Sequence, residues 1–190
     1  MRHRIGNYLL FFPSYDYLAM VQEQFSRDNG NVEILLQTSD MDERQREAFL
    51  ARFQESLERS LVGFAVMGGI FGEGIDLKGD RLTAAAVVGV GLPGICLQRD
   101  LIREYYDQNG GRGFAFAYKY PGINRVLQAA GRVIRSEKDR GVVLLIDRRY
   151  GQSSYHELLP AHWRTNRIAD GIALQKALAG FWRTSTASDT

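Results

Sequence analysis

Gln128, Arg132 and Arg135 stand at i, i+4 and i+7 in the segment Gln-Ala-Ala-Gly-Arg-Val-Ile-Arg. That spacing brings all three to one face if the segment is helical. Two guanidiniums three residues apart can grip neighbouring phosphate oxygens as planar forks. The amide of Gln128 can orient a water or bond a phosphate, and Ala129, Ala130 and Gly131 leave room for a close neighbour. The plainer reading is a solvated, salt-bridged helix face. A second segment is the glycine-rich stretch 67–76, Met-Gly-Gly-Ile-Phe-Gly-Glu-Gly-Ile-Asp. Gly68, Gly69, Gly72 and Gly74 remove side-chain bulk, so that backbone N–H groups can approach a phosphate. Glu73 and Asp76 would repel that anion, and suit ribose hydroxyls, arginines or a metal-bound water instead. The alternative is a tight turn between strand and helix. A third, looser group is Ser14, Tyr15, Gln37, Thr38 and Ser39, whose hydroxyls and amides suit sugar–phosphate contacts. Tyr15, Tyr105, Tyr106, Phe114, Phe116, Tyr118 and Tyr120 are either base-stacking platforms or core.

The elements that must position these residues follow from the apolar pattern. Tyr8–Phe12 is a continuous apolar run stopped by Pro13 and reads as a strand buried on both faces. Ser14 can cap the helix that carries Tyr17, Leu18, Val21 and Phe25 and that ends at Asp28-Asn29-Gly30. Val32–Leu36 is the second strand. Asp40, with Glu43 three residues on, can cap a helix whose apolar face is Phe49, Leu50, Phe53 and Leu57. Leu61–Val66, Ala84–Val90 and Gly141–Ile146 are further strands, with helices over Gln98–Gln108 and Pro121–Arg135 between the last two. Strands alternating with helices predict an α/β fold: an open, mostly parallel sheet with helices on both faces. In such sheets, ligands bind beyond the carboxyl ends of the strands. The pattern fills residues 6–150 as one domain. Residues 151–183 read as a helical extension docked through Ile168, Ile172, Ala179 and Trp182, and 184–190 as a frayed tail.

Composition bounds the chemistry. The chain has 190 residues, 45% hydrophobic and 24% charged, with a formal net charge of +2. That is ordinary globular composition. The small net charge hides a division. Residues 14–60 carry ten acidic and five basic side chains, and residues 99–149 carry eleven basic and six acidic. A single cysteine, Cys96, excludes an internal disulfide framework and a multi-cysteine metal site, and reads as a buried small residue. His3, His156 and His162 have no metal-ligand spacing, so no metal site is expected. No apolar run approaches a membrane span and Met1-Arg-His-Arg has no leader character, so the chain reads as cytoplasmic. Neither a Gly-x-x-x-x-Gly-Lys-Ser/Thr loop nor a Gly-x-Gly-x-x-Gly fingerprint is present, which argues against a self-sufficient nucleotide-binding α/β domain of a metabolic enzyme.

Three of these segments resemble the motifs of one family. Phe12-Pro-Ser-Tyr15 resembles motif IV of the XPD/DinG-like superfamily 2 helicases. Gly72-Glu-Gly-Ile-Asp-Leu-Lys-Gly79 resembles their motif V, S-E-G-I-D-F-x-G, with Gly72 in place of serine and Leu77 in place of phenylalanine. Gln128 to Arg135, followed by Asp139-Arg-Gly141, resembles motif VI, Q-x-x-G-R-x-I-R-x-x-x-D-x-G. The resemblance covers about residues 6–150, in the family's motif order and with Gly91-Leu-Pro93 between the last two motifs.

The resemblance implies a RecA-like fold and the second motor domain of an ATP-dependent DNA helicase moving 5′ to 3′ on single-stranded DNA, in the bacterial cytosol or nucleoid. Its partner would be the first RecA-like domain of the same parent chain. That domain would hold most of the ATP and Mg2+, and any iron–sulfur cluster. By motif position, Arg135 resembles the arginine finger, Arg132 its γ-phosphate partner and Gln128 a nucleotide sensor. Glu73, Gly74 and Asp76 would couple nucleotide to DNA, and Ser14, Tyr15, Thr38 and Gly72 would hold the DNA backbone. With half a cleft, the chain would not hydrolyse ATP alone. The alternative is a non-catalytic single-strand-binding or regulatory module on the same fold.

Overall fold

The apolar run of the first strand forms Asn7–Phe12 (β1), at the centre of a five-stranded sheet. This computed structural model describes residues 4–55, 57–68, 71, 77, 81–133 and 140–183. β1 pairs with Leu61–Val66 (β3) on one side and Ala84–Val88 (β4) on the other. Glu33–Leu36 (β2) and Val142–Ile146 (β5) are the outer strands, in the order β2-β3-β1-β4-β5, and every pairing is parallel. Tyr8 aligns with Ala84 and Ala84 with Val142, so the five carboxyl ends emerge along one edge.

The chain first moves from β1 outward to β2, then works back across the sheet. Right-handed crossovers therefore place the first connection on one face and the later ones on the other. Period-two alternation serves both faces. Leu10, Phe12, Val62 and Phe64 meet Leu18, Val21 and Phe25 of Tyr15–Asp28 (α1). Leu9, Phe11, Leu61, Ala65 and Val87 join the opposite core with Phe49 of Glu43–Ala51 (α2) and with Ile123, Val126 and Ala129 of Tyr120–Ala130 (α4). Fully burying each such Leu, Val or Phe contributes about 1.5–3 kcal/mol.

Between β3 and β4 in the chain, Met67, Phe71, Leu77 and Leu82 are buried in this second layer. Phe71 and Leu77 are 0% and 2% exposed, and the Phe71 ring lies 4.5 Å from that of Phe49. Between β4 and α4 lie Leu97–Gln108 (α3) and a π-helical turn, Ala115–Lys119. The aromatic residues here mostly pack on one another. Tyr106 stacks on Phe116 at 4.1 Å, Phe116 meets Tyr120 edge-on and Phe114 stacks on Tyr118. The Tyr118 hydroxyl donates to Asp100 Oδ1 at 3.0 Å, which ties the turn to α3. After β5 come a 3-10 turn, Arg148–Gly151, a short helix, Ser153–His156 (α5), and Gly171–Arg183 (α6).

All five predicted strands form, the fourth ending at Val88 rather than Val90, and most other differences lie at helix ends. Asp42, not Asp40, caps α2, because Gln45 at the third helical position reaches back to complete the capping box. α2 ends at Ala51, so Leu57 packs on the core from outside it. α4 ends at Ala130, not Arg135. The N–H groups of Arg132 and Val133 bond three residues back, to Ala129 and Ala130, and this tightening turns Val133 into the core. Cys96 is exposed, not buried, because it precedes α3, a helix with no buried residue. Ile172 is 68% exposed. α6 is anchored at its far end, where Trp182 was expected to dock: the Arg4 guanidinium lies 4.5 Å from the Trp182 ring, and Arg140 donates to the Phe181 carbonyl at 2.9 Å. No helix among the described residues is long and apolar enough to cross a membrane.

Candidate nucleotide and nucleic-acid site

The predicted site residues fall into two groups set by strand direction. Ser14, Tyr15 and Thr38 follow β1 and β2 and lie at the carboxyl edge, all exposed. Ser14 is the N-cap of α1, its Oγ accepting from the Tyr17 N–H at 3.2 Å. The buried Gln37, 3% exposed, holds this corner together. Its Nε2 donates to the Tyr15 hydroxyl oxygen at 3.0 Å, its Oε1 accepts from the Val66 N–H at 2.8 Å, and its own N–H bonds the Phe64 carbonyl. One side chain therefore joins the exits of β1, β2 and β3. The Thr38 hydroxyl donates to the Asp40 carboxylate, and this bond holds Asp40 below the usual carboxylate range.

Gln128 and Arg132 belong to the second group. α4 runs antiparallel to the strands, so its start lies at the carboxyl edge and its end near the strand beginnings. Gly122 touches the exit of β4, while Val133 packs against Gly141 just before β5. Gln128 is exposed on α4 and Arg132 is partly exposed just past its end. Since α4 ends at Ala130, the two do not share an unbroken α-helical face. An eleven-residue helix spans about 16 Å at 1.5 Å per residue. That length separates the α4 end from the carboxyl edge, so the two groups are not one pocket.

Gly72, Glu73, Gly74, Asp76 and Arg135 lie outside the described residues. Their neighbours on the chain are placed. Phe71 and Leu77, which bracket 72–76, share one core cluster with Val126, Ala129 and Val133. Phe71 and Leu77 therefore lie in the layer to which α4 belongs. An exposed amide and a partly exposed guanidinium are both hydrogen-bond donors, a set whose chemistry suits phosphate. Among the described residues no group of His, Cys, Asp and Glu could hold a metal ion.

The helicase C-terminal domain family matches residues 1–166. The chain belongs to that family. It is 29% identical over 195 residues to the ATP-dependent DNA helicase CHL1 of Coccidioides immitis, covering 85% of this chain and 22% of that protein. It is 27% identical over 161 residues to the ATP-dependent DNA helicase DinG of Photobacterium profundum, covering 80% and 22%. The chain thus spans about a fifth of the length of the curated relatives it matches. An apo XPD structure superimposes with a TM-score of 0.64 at 21% identity, over 80% of this chain and 30% of that one. The S. tokodaii Xpd4 structure does so at 0.56 and 16%, over 84% and 30%. The fold is RecA-like.

This helicase C-terminal domain also places residues that sequence reasoning passed over. Arg125 lies one turn before Gln128, and a Cβ on Gly68 would sit 2.9 Å from its Nε. Its position three before Gln128 and seven before Arg132 was the available signal. Asp147, directly after β5, accepts from the Arg149 N–H at 2.8 Å and holds the Arg149 guanidinium through two bonds of 2.9 and 2.8 Å. The Tyr150 hydroxyl donates to the Gly89 carbonyl at 2.8 Å, and burial raises its pKa. These bonds lock the exits of β4 and β5 together.

Proposed function

We propose that this chain is the second motor domain of an ATP-dependent DNA helicase that translocates 5′ to 3′ on single-stranded DNA. Arg135 is the arginine finger, Arg132 binds the γ-phosphate beside it and Gln128 reports nucleotide state. Glu73, Gly74 and Asp76 couple the nucleotide cleft to the DNA track, and Ser14, Tyr15, Thr38 and Gly72 hold the DNA backbone. The observation supporting this reading is that Phe71 and Leu77, which flank 72–76 on the chain, are buried in the same core cluster as Val126, Ala129 and Val133, which flank Gln128 and Arg132. The separation of the Arg132 end of α4 from the Ser14–Thr38 edge also fits a domain with one surface for nucleotide and another for nucleic acid.

Two cations from this domain would neutralise charge on the transferring phosphoryl group. An arginine supplied across a cleft in this way is worth roughly 10³–10⁵ in rate in well-studied NTPases. Mg2+ and the remaining phosphate contacts would come from the first motor domain, so this chain alone does not turn ATP over. Phosphate contacts carry little sequence information, so DNA binding by the chain is weak, salt-sensitive and indifferent to sequence.

The test is Arg135→Ala in a polypeptide that joins this chain to a first motor domain. ATP turnover disappears while binding of a fluorescent ATP analogue is retained. Unchanged turnover removes Arg135 from the finger position. Tight, salt-insensitive binding of the 190-residue chain to one DNA sequence overturns the backbone-reading surface.

A further inference from the structure

Arg125 lies at the carboxyl edge of the sheet, in the room that two glycines leave. Its Nε would lie 2.9 Å from a Cβ on Gly68, where φ is +71°, and its own Cβ would lie 3.4 Å from one on Gly91, where φ is +66°. The side chain thus spans the exits of β3 and β4, the first of which opens into the glycine-rich passage. It is partly exposed, and no described residue gives it a carboxylate. Arginines elsewhere in the domain differ. Arg149 is held by Asp147, Arg52 and Arg59 are held by Glu33, and Arg81 bonds the Phe53 carbonyl. A guanidinium with no carboxylate partner among the described residues, at the edge where open parallel sheets bind ligands, is available to an incoming anion.

We propose that Arg125 binds a phosphate oxygen of the ligand at this edge, and that Gly68 lacks a side chain to leave the guanidinium its place. This deepens the motor-domain reading and rests on it. Two sources share the chemistry: a phosphodiester of single-stranded DNA and the triphosphate of a nucleotide. α4 would then bear ligand contacts along its whole length, with Arg125 near the DNA edge and Arg132 at the far end.

The test uses the 190-residue chain at low ionic strength, with a fluorescein-labelled dT20 strand and with a fluorescent ATP analogue. Arg125→Gln weakens binding of one ligand about tenfold, as expected for loss of a charge-assisted bond. If the phosphodiester is the source, dT20 affinity falls and its salt slope drops by about 0.7, the value for one single-strand phosphate contact. If the triphosphate is the source, only the ATP analogue weakens. Arg125→Lys restores part of the loss. Gly68→Ala reproduces the loss with Arg125 still present, because the new methyl displaces the guanidinium. Wild-type affinities for both ligands in Arg125→Gln overturn the proposal and leave the motor-domain reading standing. A lowered thermal midpoint with unchanged binding also overturns it, making Arg125 a packing residue. A wild-type chain that binds neither ligand overturns both.

Discussion

A methyl group at Gly91 would lie 2.5 Å from the carbonyl oxygen of Gly122, and one at Gly122 would lie 2.6 Å from the carbonyl oxygen of Val90. The exit of β4 thus rests backbone-on-backbone against the first turn of α4. This contact sets the height of the helix that carries Arg125 and Gln128. Backbone cannot yield as a flexible side chain can, so Gly122→Ala should cost about 1–3 kcal/mol through overpacking. Gly91→Ala should cost more, since φ there is +66° and a side chain adds strain to the clash. Urea denaturation of the chain measures both. A midpoint unchanged in Gly122→Ala refutes the contact.

Gln37 should behave as a structural hub, not as a surface amide. Gln37→Leu strips the Val66 N–H of its acceptor and the Tyr15 hydroxyl of its donor. Leaving a buried backbone donor unpaired costs about 1–3 kcal/mol. Because Tyr15 loses its tether, binding of single-stranded DNA should weaken in the same variant. Wild-type urea stability in Gln37→Leu would show that the amide holds nothing.

Much of this layout is legible in the sequence because apolar continuity and strand burial are one physical fact. Tyr8–Phe12, Leu61–Val66 and Ala84–Val88 have no polar face to turn outward, so they must lie inside a covered sheet. Helix ends were less legible. Asp40 and Asp42 are chemically equal caps, and only the reach of the Gln45 side chain decides between them. Likewise, the pattern of Gln128, Arg132 and Arg135 carries no sign that Val133 must leave the helix to enter the core. The site residues were legible as types, but strand direction decides their separation. Arg125 was missed because its importance comes from Gly68, 57 positions earlier, which only the fold brings beside it.

Cys96 occupies the cap position of α3 with extended backbone, φ −156° and ψ 160°, yet makes no side-chain cap bond. A thiol is a weak acceptor, so the first N–H groups of α3 go without this partner. Cys96→Ser should therefore stabilise the chain by about 0.5–1 kcal/mol. Since the thiol is exposed, it should also react stoichiometrically with a disulfide reagent in the folded wild-type chain. A thiol that reacts only after denaturation, or a destabilised serine variant, would contradict this placement.

The Asp147–Arg149 pair should make acid stability depend on one carboxylate. The bonds from Arg149 come first among the causes that hold the Asp147 pKa below the ordinary carboxylate range, and burial opposes them only in part. A carboxyl whose folded pKa is depressed stabilises the fold fully above its unfolded value, about 3.9, and that contribution disappears as pH falls toward the folded value. Asp147→Asn keeps an oxygen to accept from the Arg149 N–H but removes the charge that grips the guanidinium. Arg149 is 38% exposed, so solvent screening limits the loss to about 1 kcal/mol at pH 7. The gap between wild type and Asp147→Asn should close as pH falls below the unfolded value of about 3.9 and toward the lower folded value, because the wild-type carboxyl is neutralised there. Thermal midpoints of both proteins across the range decide the matter. A gap that stays constant with pH would mean that the carboxylate charge contributes nothing and that hydrogen-bond geometry alone holds the exit of β5.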